Sequence, residues 1–380
     1  MKQRFHPDQH MLELMESFRQ MTNICIRIGL ENDVSSLKRL SLLSYGQLRN
    51  FQLPSAYKLC AISKAAGILT HYRKLSKKHH VNKPYCTKPI LTTCYRIKLQ
   101  RGRLRMSGNL EIPLNNYTQR FLAQPGVELR SVNLTPTSLS LSVRKHVQPM
   151  PYTGMIGIDR NLDNITLAGT DNQVGRCDLS RATAIKSKCR ATKQRFHRND
   201  VKARKQIFGK YGRLERDRVG WLLHNASANI VLQAKLKRQA IVMEDLLGIR
   251  KLYRKGNGQG ASYRSRMNSW SFAELQRQIQ YKAEWNGIPV IYVSAHGTSA
   301  RCSICGHHAL PEENRQLHCP NCGLTIDRDE NAARNIVARG LRFKPVGAAI
   351  EAMVQEPPRR VILKVDADQS TSKPTDEPTS

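Results

Sequence analysis

Acidic residues are scarce in this chain. Its 380 residues include 29 Asp or Glu against 62 Lys or Arg, a formal charge of +33. That imbalance excludes an ordinary metabolic enzyme surface and points to polyanionic partners, nucleic acid ahead of anionic membrane. Aromatics make up only 6%, which argues against a binder that works mainly by stacking bases on rings. No apolar run approaches the roughly 20 residues that a membrane span needs. The start, MKQRFHPDQH, is basic with no apolar core after it, so no signal peptide and no membrane partner are expected. No internal repeat is visible. The Gly-rich basic stretch 250–266 lacks the Gly-Lys-Ser/Thr ending of a phosphate-binding P-loop and reads as a flexible loop near a substrate. What the chain does have is 40% apolar residues, enough for packed cores, over a length that suggests two or three domains.

Residues 10–80 read as helical. Leu59, Ile62, Ala66 and Leu69 recur at spacings of three and four, and a basic run from His71 to Lys78 follows. From about Lys88 to His146 the period becomes two, with Tyr95, Ile97 and Leu99, then Leu139, Leu141 and Val143, alternating with polar residues. Thr135-Pro136-Thr137-Ser138 is a turn signal. An apolar strand, Met155 to Ile158, stops at Asp159. Residues 176–238 then carry 18 Lys or Arg against 4 Asp or Glu. A second apolar strand, Ala240 to Met243, stops at Glu244. A helix from Ser269 to Trp285, a strand from Ile288 to Val293 and a helix from about Asp329 to Arg339 complete the pattern. The tail from Val346, rich in Ser, Thr and Pro, is expected to be disordered.

Six cysteines are scattered singly: Cys25, Cys60, Cys86, Cys94, Cys177 and Cys189. The other four follow the spacing Cys302-x2-Cys305-x13-Cys319-x2-Cys322. Each pair makes a knuckle that aims two thiolates at one ion, and four of them suit tetrahedral Zn²⁺. Gly306 and Gly323 follow the second cysteine of each pair, where a tight knuckle needs a residue without Cβ. A redox pair would need no second pair at this distance. With no open coordination position the zinc is structural, and His307, His308 and His318 are more simply surface residues or phosphate contacts.

Asp159 and Glu244 each end an apolar strand, and Asp329 lies in Asp327-Arg328-Asp329-Glu330-Asn331-Ala332-Ala333. Singly, each has a bland reading as a strand-end turn residue or a helix cap. Together, in a chain so poor in acids, they form the convergent oxygen set that two Mg²⁺ ions need for phosphodiester hydrolysis. If a helix starts near Asp327, that residue is its cap, and Asp329 shares a face with Ala333, Ile336 and Val337. We therefore place Asp329 in the site and Asp327 beside it. Glu244 and Asp245 point to opposite faces of their strand, and the apolar residues before them do not decide between the two.

GIDRNLDNITLAG around Asp159, IVMEDL around Glu244, TSARCSICG with CPNCG, and DRDENAARNI together resemble the nuclease core of TnpB proteins. These are the RNA-guided nucleases carried by insertion sequences and related to type V CRISPR effectors. The resemblance is close over about 150–340 and extends to 10–150 only in layout. It implies an α/β, RNase H-like (RuvC) nuclease domain over 150–300 and 323–345, with a four-cysteine zinc ribbon inserted at 301–322. Before it come a helical recognition module, 1–82, with residues 1–9 open to membership of the β module, and a β-barrel-like wedge module, 83–149. The tail is 346–380. Asp159, Glu244 and Asp329 would hold Mg²⁺ for DNA cleavage. A guide RNA from the transposon end and double-stranded target DNA would be the partners, with base pairing supplying specificity. A prokaryotic cytoplasm, at the nucleoid, is the implied location. Two alternatives from other classes are a nuclease-silent, RNA-guided repressor and an accessory protein of transposition. Two departures stand out. Asn161 occupies the place where many relatives have Gly, and only Lys2 to Phe5 could supply the opening strand that relatives commonly have.

Overall fold

The computed structural model describes residues 1–197, 199–254, 256–343 and 359–363. It falls into two compact units: Met1–Lys145 with Ile362 and Leu363, and His146–Val361.

In the first unit, strand β1 (Lys2–Arg4) precedes helix α1 (Gln9–Glu31), whose first turn is capped by Asp8 accepting from the Met11 amide at 2.7 Å. Leu14, Phe18, Met21, Cys25 and Ile28 keep the three-four spacing along α1 and are buried, as an amphipathic helix requires. Helices α2 (Leu37–Ser44) and α3 (Ser55–Ser76) follow. The β part holds β2 (Leu91–Thr93), β3 (Lys98–Gln100), β4 (Arg103–Met106), β5 (Leu110–Pro113), helix α4 (Asn116–Leu122), β6 (Val127–Thr135) and β7 (Ser138–Val147). One antiparallel sheet has the order β1-β7-β6-β2 and another the order β3-β4-β5. The opening residues thus enter the sheet, with Gln3 opposite Leu139. The helical and β stretches, expected as separate modules, share one core that includes Phe18, Leu69, Leu91, Leu134 and Leu141.

Two periodicity expectations need correction. Leu59 is 41% exposed, because α3 buries the face bearing Cys60, Ala61, Ile62, Ala65, Ala66 and Leu69. Tyr95 and Leu99 are also exposed: Tyr95 lies in a bend before β3, and all three residues of β3 are exposed. Leu139, Leu141 and Val143 are buried as expected. Of the tail expected to be disordered, Arg359–Leu363 forms a strand, β16, that pairs β7; its Val-Ile-Leu run suits a strand. The remainder of 346–380 lies outside the described residues.

The second unit is built on a five-stranded sheet: β8 (Gly154–Arg160), β9 (Asn164–Gly169), β10 (Val174–Asp178), β11 (Gln239–Asp245) and β12 (Val290–Ser294). Its order is β10-β9-β8-β11-β12. The first three strands run antiparallel, whereas β11 is parallel to both β8 and β12. The basic segment forms α5 (Ser180–Gln194) and the long α6 (Val201–Leu236) between β10 and β11. The stretch expected as a loop at 250–266 is partly helical: a 3-10 turn at Ile249–Tyr253 and α7 (Ala261–Asn268) precede α8 (Phe272–Trp285). Between β12 and α9 (Arg328–Phe343) lies a small antiparallel sheet, β13 (Leu310–Pro311), β14 (Gln316–His318) and β15 (Thr325–Asp327).

Strand alternation sorts the sheet's two faces. Ile156, Ile158, Ile241 and Met243 pack with α6 and α8 residues such as Leu223, Ile230, Leu275 and Ile279. Met155, Ala240, Val242 and Val293 pack with Ile336 and Val337 of α9. A Cβ at Gly157 would lie 2.4 Å from the Ala333 carbonyl and 3.0 Å from the Val337 amide, so glycine there lets α9 lie directly on β8.

Candidate active site and cysteine centre

Asp159 follows Ile158 by one residue and Glu244 follows Met243 by one, so both leave the sheet on the α9 face. Ile158 stands opposite Met243 in the parallel β8–β11 pair, which puts the two acids side by side at the strands' C-terminal ends. Both are 8% exposed, whereas Asp245 is exposed. Of the two neighbouring acids it is thus Glu244 that lies buried beside Asp159. Asp329, 4% exposed, is delivered by the first turn of α9. Asp327 caps that turn, its Oδ1 accepting from the amides of Asp329 at 2.9 Å and Glu330 at 3.1 Å, and it pairs with Arg176 at 2.7 Å.

Asp159 feels both burial and its acidic neighbours. Asp159 is pushed up to about 7, first by burial and then by the Glu244 charge; the Asn161 amide opposes this and Asp329 adds to it. Burial also raises Glu244, against the Thr298 hydroxyl and the guanidinium groups of Arg160 and Arg339. Buried like charges without an adequate counter-charge do this to carboxylates. Thr298 donates to Glu244 Oε1 at 2.5 Å. Arg160 is almost fully buried, donating to the Glu244 carbonyl at 2.5 Å and to Gln276 Oε1 at 2.6 Å. Arg315, from the small sheet, forms an ion pair with Asp329, and this pairing raises its own pKa, with Asp327 and Asp159 contributing.

Sequence reasoning overlooked Thr298, Arg315 and Asn331. The last is fully buried, accepting from the Ser303 amide at 2.8 Å and donating to the Arg301 carbonyl at 2.7 Å, so it ties the backbone on both sides of Cys302 to α9. A Thr just before a cysteine pair and an Asn two residues after Asp329 were readable as residues, but their partners were not.

The four cysteines meet. Cys302, Cys305, Cys319 and Cys322 present sulfurs that all lie within 4.8 Å of one another, the one such set of metal-ligating groups among the described residues; the three carboxylates are not drawn into a set that tight. The two knuckles repeat one geometry. The Gly306 amide donates to the Cys302 carbonyl at 3.0 Å and the Gly323 amide to the Cys319 carbonyl at 2.9 Å. Both glycines have positive φ, 75° and 73°, where a side chain would be strained. The Cys305 thiol is pulled down to about 6, chiefly by the His307 backbone amide, toward the thiolate form that binds metal. Cys322 is pushed the other way, up to about 12, the Leu324 amide being outweighed by burial and the neighbouring cysteines. Four convergent sulfurs are a donor set that fits Zn²⁺.

A family model described as Cas12f1-like, TNB domain matches residues 272–336, from α8 through the cysteine centre into α9. Among solved structures, a Cas12f1 chain from a complex with sgRNA and target DNA shares the fold at a TM-score of 0.54 and 14% identity, covering 87% of this chain and 83% of that one. A protein of Streptomyces pristinaespiralis, provisionally described as an RNA-guided DNA endonuclease, is 30% identical over 56% of this chain and 52% of its own length. These comparisons define the class as a Cas12f1-like fold. A TnpB-like protein of Methanocaldococcus jannaschii is 31% identical, the match covering 60% of this chain and 84% of the relative. The chain belongs to the TnpB-like family.

Proposed function

We propose that this chain is an RNA-guided DNA endonuclease of a transposable element, with residues 150–300 and 323–345 as an RNase H-like (RuvC) nuclease domain and 301–322 as its inserted zinc ribbon. The observation that carries the reading is the meeting of Asp159, Glu244 and Asp329 on one face of the sheet, two from adjacent parallel strands and one from the helix packed over them. Buried carboxylate oxygens brought together, with Asp159 raised by burial and by the Glu244 charge, are a donor set that fits Mg²⁺. Divalent ions bound there would neutralise charge at the attacking and leaving oxygens of the phosphodiester. Asp159 and Glu244 are fixed by the sheet and Asp329 by its Asp327-capped helix turn. Thr298 and Arg160 hold Glu244 through its carboxylate and its carbonyl, respectively. The TnpB-like relatives and the DNA- and RNA-bound Cas12f1 neighbour support a guide RNA, in this reading transcribed from the transposon end, and double-stranded target DNA as partners. The charge of +33 suits a chain that holds several nucleic-acid backbones at once. No described helix is long and apolar enough to cross a membrane.

The test is purification with co-isolated RNA, then cleavage of DNA matching that RNA in Mg²⁺ or Mn²⁺. Asp159→Ala and Asp329→Ala should abolish cutting while RNA still co-purifies. Full cutting by both variants would remove the carboxylates from the chemistry. Absence of any bound RNA would remove the guide.

A further inference from the structure

Asp159 and Asp329 reach the site from a strand and from a helix 170 residues later, and the turn after β8 links them. Asn161 Nδ2 donates to Asp159 Oδ2 at 2.7 Å and to Asn164 Oδ1 at 3.2 Å. Asn164 Nδ2 in turn reaches Asp329 Oδ2 at 3.4 Å. The Asn161 amide closes the turn on the Asn164 carbonyl at 2.9 Å. The carbonyl of Asn161 faces the other way and accepts from Trp270 Nε1 at 2.8 Å. Trp270 lies in the short link between α7 and α8, its ring 5.0 Å from that of Phe272. That link is held by Lys186 of α5, which donates to the Ser269 carbonyl and the Ser271 hydroxyl. Helix α7 itself buries no residue.

We propose that Trp270 and Asn161 form one positioning relay that fixes the orientation of Asp159, and through Asn164 that of Asp329, for divalent metal, so that the exposed α7 segment is coupled to the metal seat. This rests on the reading of the acids as metal ligands. Both are positioning residues. An amide on one carboxylate oxygen determines which lone pairs remain for an ion, and partners of this kind typically change metal affinity by about 10–100-fold. Trp270 acts one step back, because its N–H holds the carbonyl of the residue whose side chain holds Asp159.

The experiment measures Mn²⁺ binding to the zinc-loaded full chain, by electron paramagnetic resonance of free Mn²⁺ and by the Mn²⁺ concentration that half-saturates cleavage. The proteins are the wild type, Asn161→Ala, Trp270→Phe, the double variant and Asp159→Ala. Zinc content and melting temperature serve as folding checks, and Trp270→Phe keeps an aromatic ring while removing the donor. Each single variant should weaken Mn²⁺ affinity about tenfold, and the double variant no more than the worse single, because both act through one contact. Unchanged affinity in either single variant, or losses that multiply in the double, overturns the relay. Wild-type affinity in Asp159→Ala would instead overturn the metal-site reading on which it rests.

Discussion

At the scale of single residues, Asp159 makes a prediction about stability and pH. Its pKa is raised from the ordinary 3.8 to about 7, so the folded chain keeps a proton there that the unfolded chain has released. The linked stability is full below the ordinary carboxylate range and is lost as pH rises through about 7. Asp159→Asn removes the titration while preserving shape. With zinc bound and no Mg²⁺ added, the variant should melt above the wild type, by a margin that widens between pH 5 and pH 8. A margin constant across that range would mean that burial and Glu244 do not penalise the charge. Added Mn²⁺ should shrink the margin by stabilising the wild type, since a ligand that binds only the folded state raises its stability. The residues behind this prediction were legible in the sequence to different degrees. A carboxylate that ends an apolar run announces itself, and Asp159 and Glu244 did so. Arg315 and Thr298 did not, because their meaning lies in contacts with Asp329 and Glu244, and contacts between distant segments leave no periodic trace.

Secondary-structure elements show how one helix delivers Asp329 beside Asp159 and Glu244. α9 lies on the sheet with Ala333 and Ile336 fully buried, over a glycine whose added Cβ would meet the Ala333 carbonyl at 2.4 Å. Gly157→Ala should therefore push α9 off β8 and cost about 1–3 kcal/mol, as overpacking of a dense core does, read as a lower melting temperature. Cleavage should fall further than stability does, because Asp329 moves with the helix. Activity that tracks the folded fraction alone would show that α9 re-seats without displacing its acid. The cysteine centre holds the other end of this element, through β15, which runs directly into α9. Cys305→Ser should lower zinc from about one per chain and expose 310–327 to protease. Full zinc content and wild-type protease resistance would rule the ribbon out. The helix and strand positions around the site were readable from apolar spacing and strand-end acids. Leu59 and Leu99 misled because α3 packs on a face offset from its regular stripe, and because the three-residue β3 is exposed throughout, while Tyr95 lies in a bend outside any strand.

For the molecule as a whole, the question is where a charge of +33 does its work. Residues 176–238 carry 18 Lys or Arg against 4 Asp or Glu, and they form α5 and α6 rather than an unstructured arm. The C-terminal half of α6 is anchored, with Val219, Leu223, Ala226, Ile230 and Val231 buried. Its N-terminal half leaves Lys202, Lys205 and Lys210 exposed, carried on a continuous helix. Such lysines do not stabilise the fold, so neutralising them should leave melting unchanged. If they lie along a nucleic-acid backbone, each releases a condensed counterion on binding, and log K falls with log salt by about 0.7–0.9 per phosphate contacted. Lys202→Gln, Lys205→Gln and Lys210→Gln together should reduce the magnitude of that slope by about 2–3, measured on the co-purifying RNA between about 50 and 200 mM salt. A slope identical to that of the wild type would place the exposed half of α6 away from the RNA. The same measurement on the DNA-bound complex would then decide whether this charge serves the second strand instead.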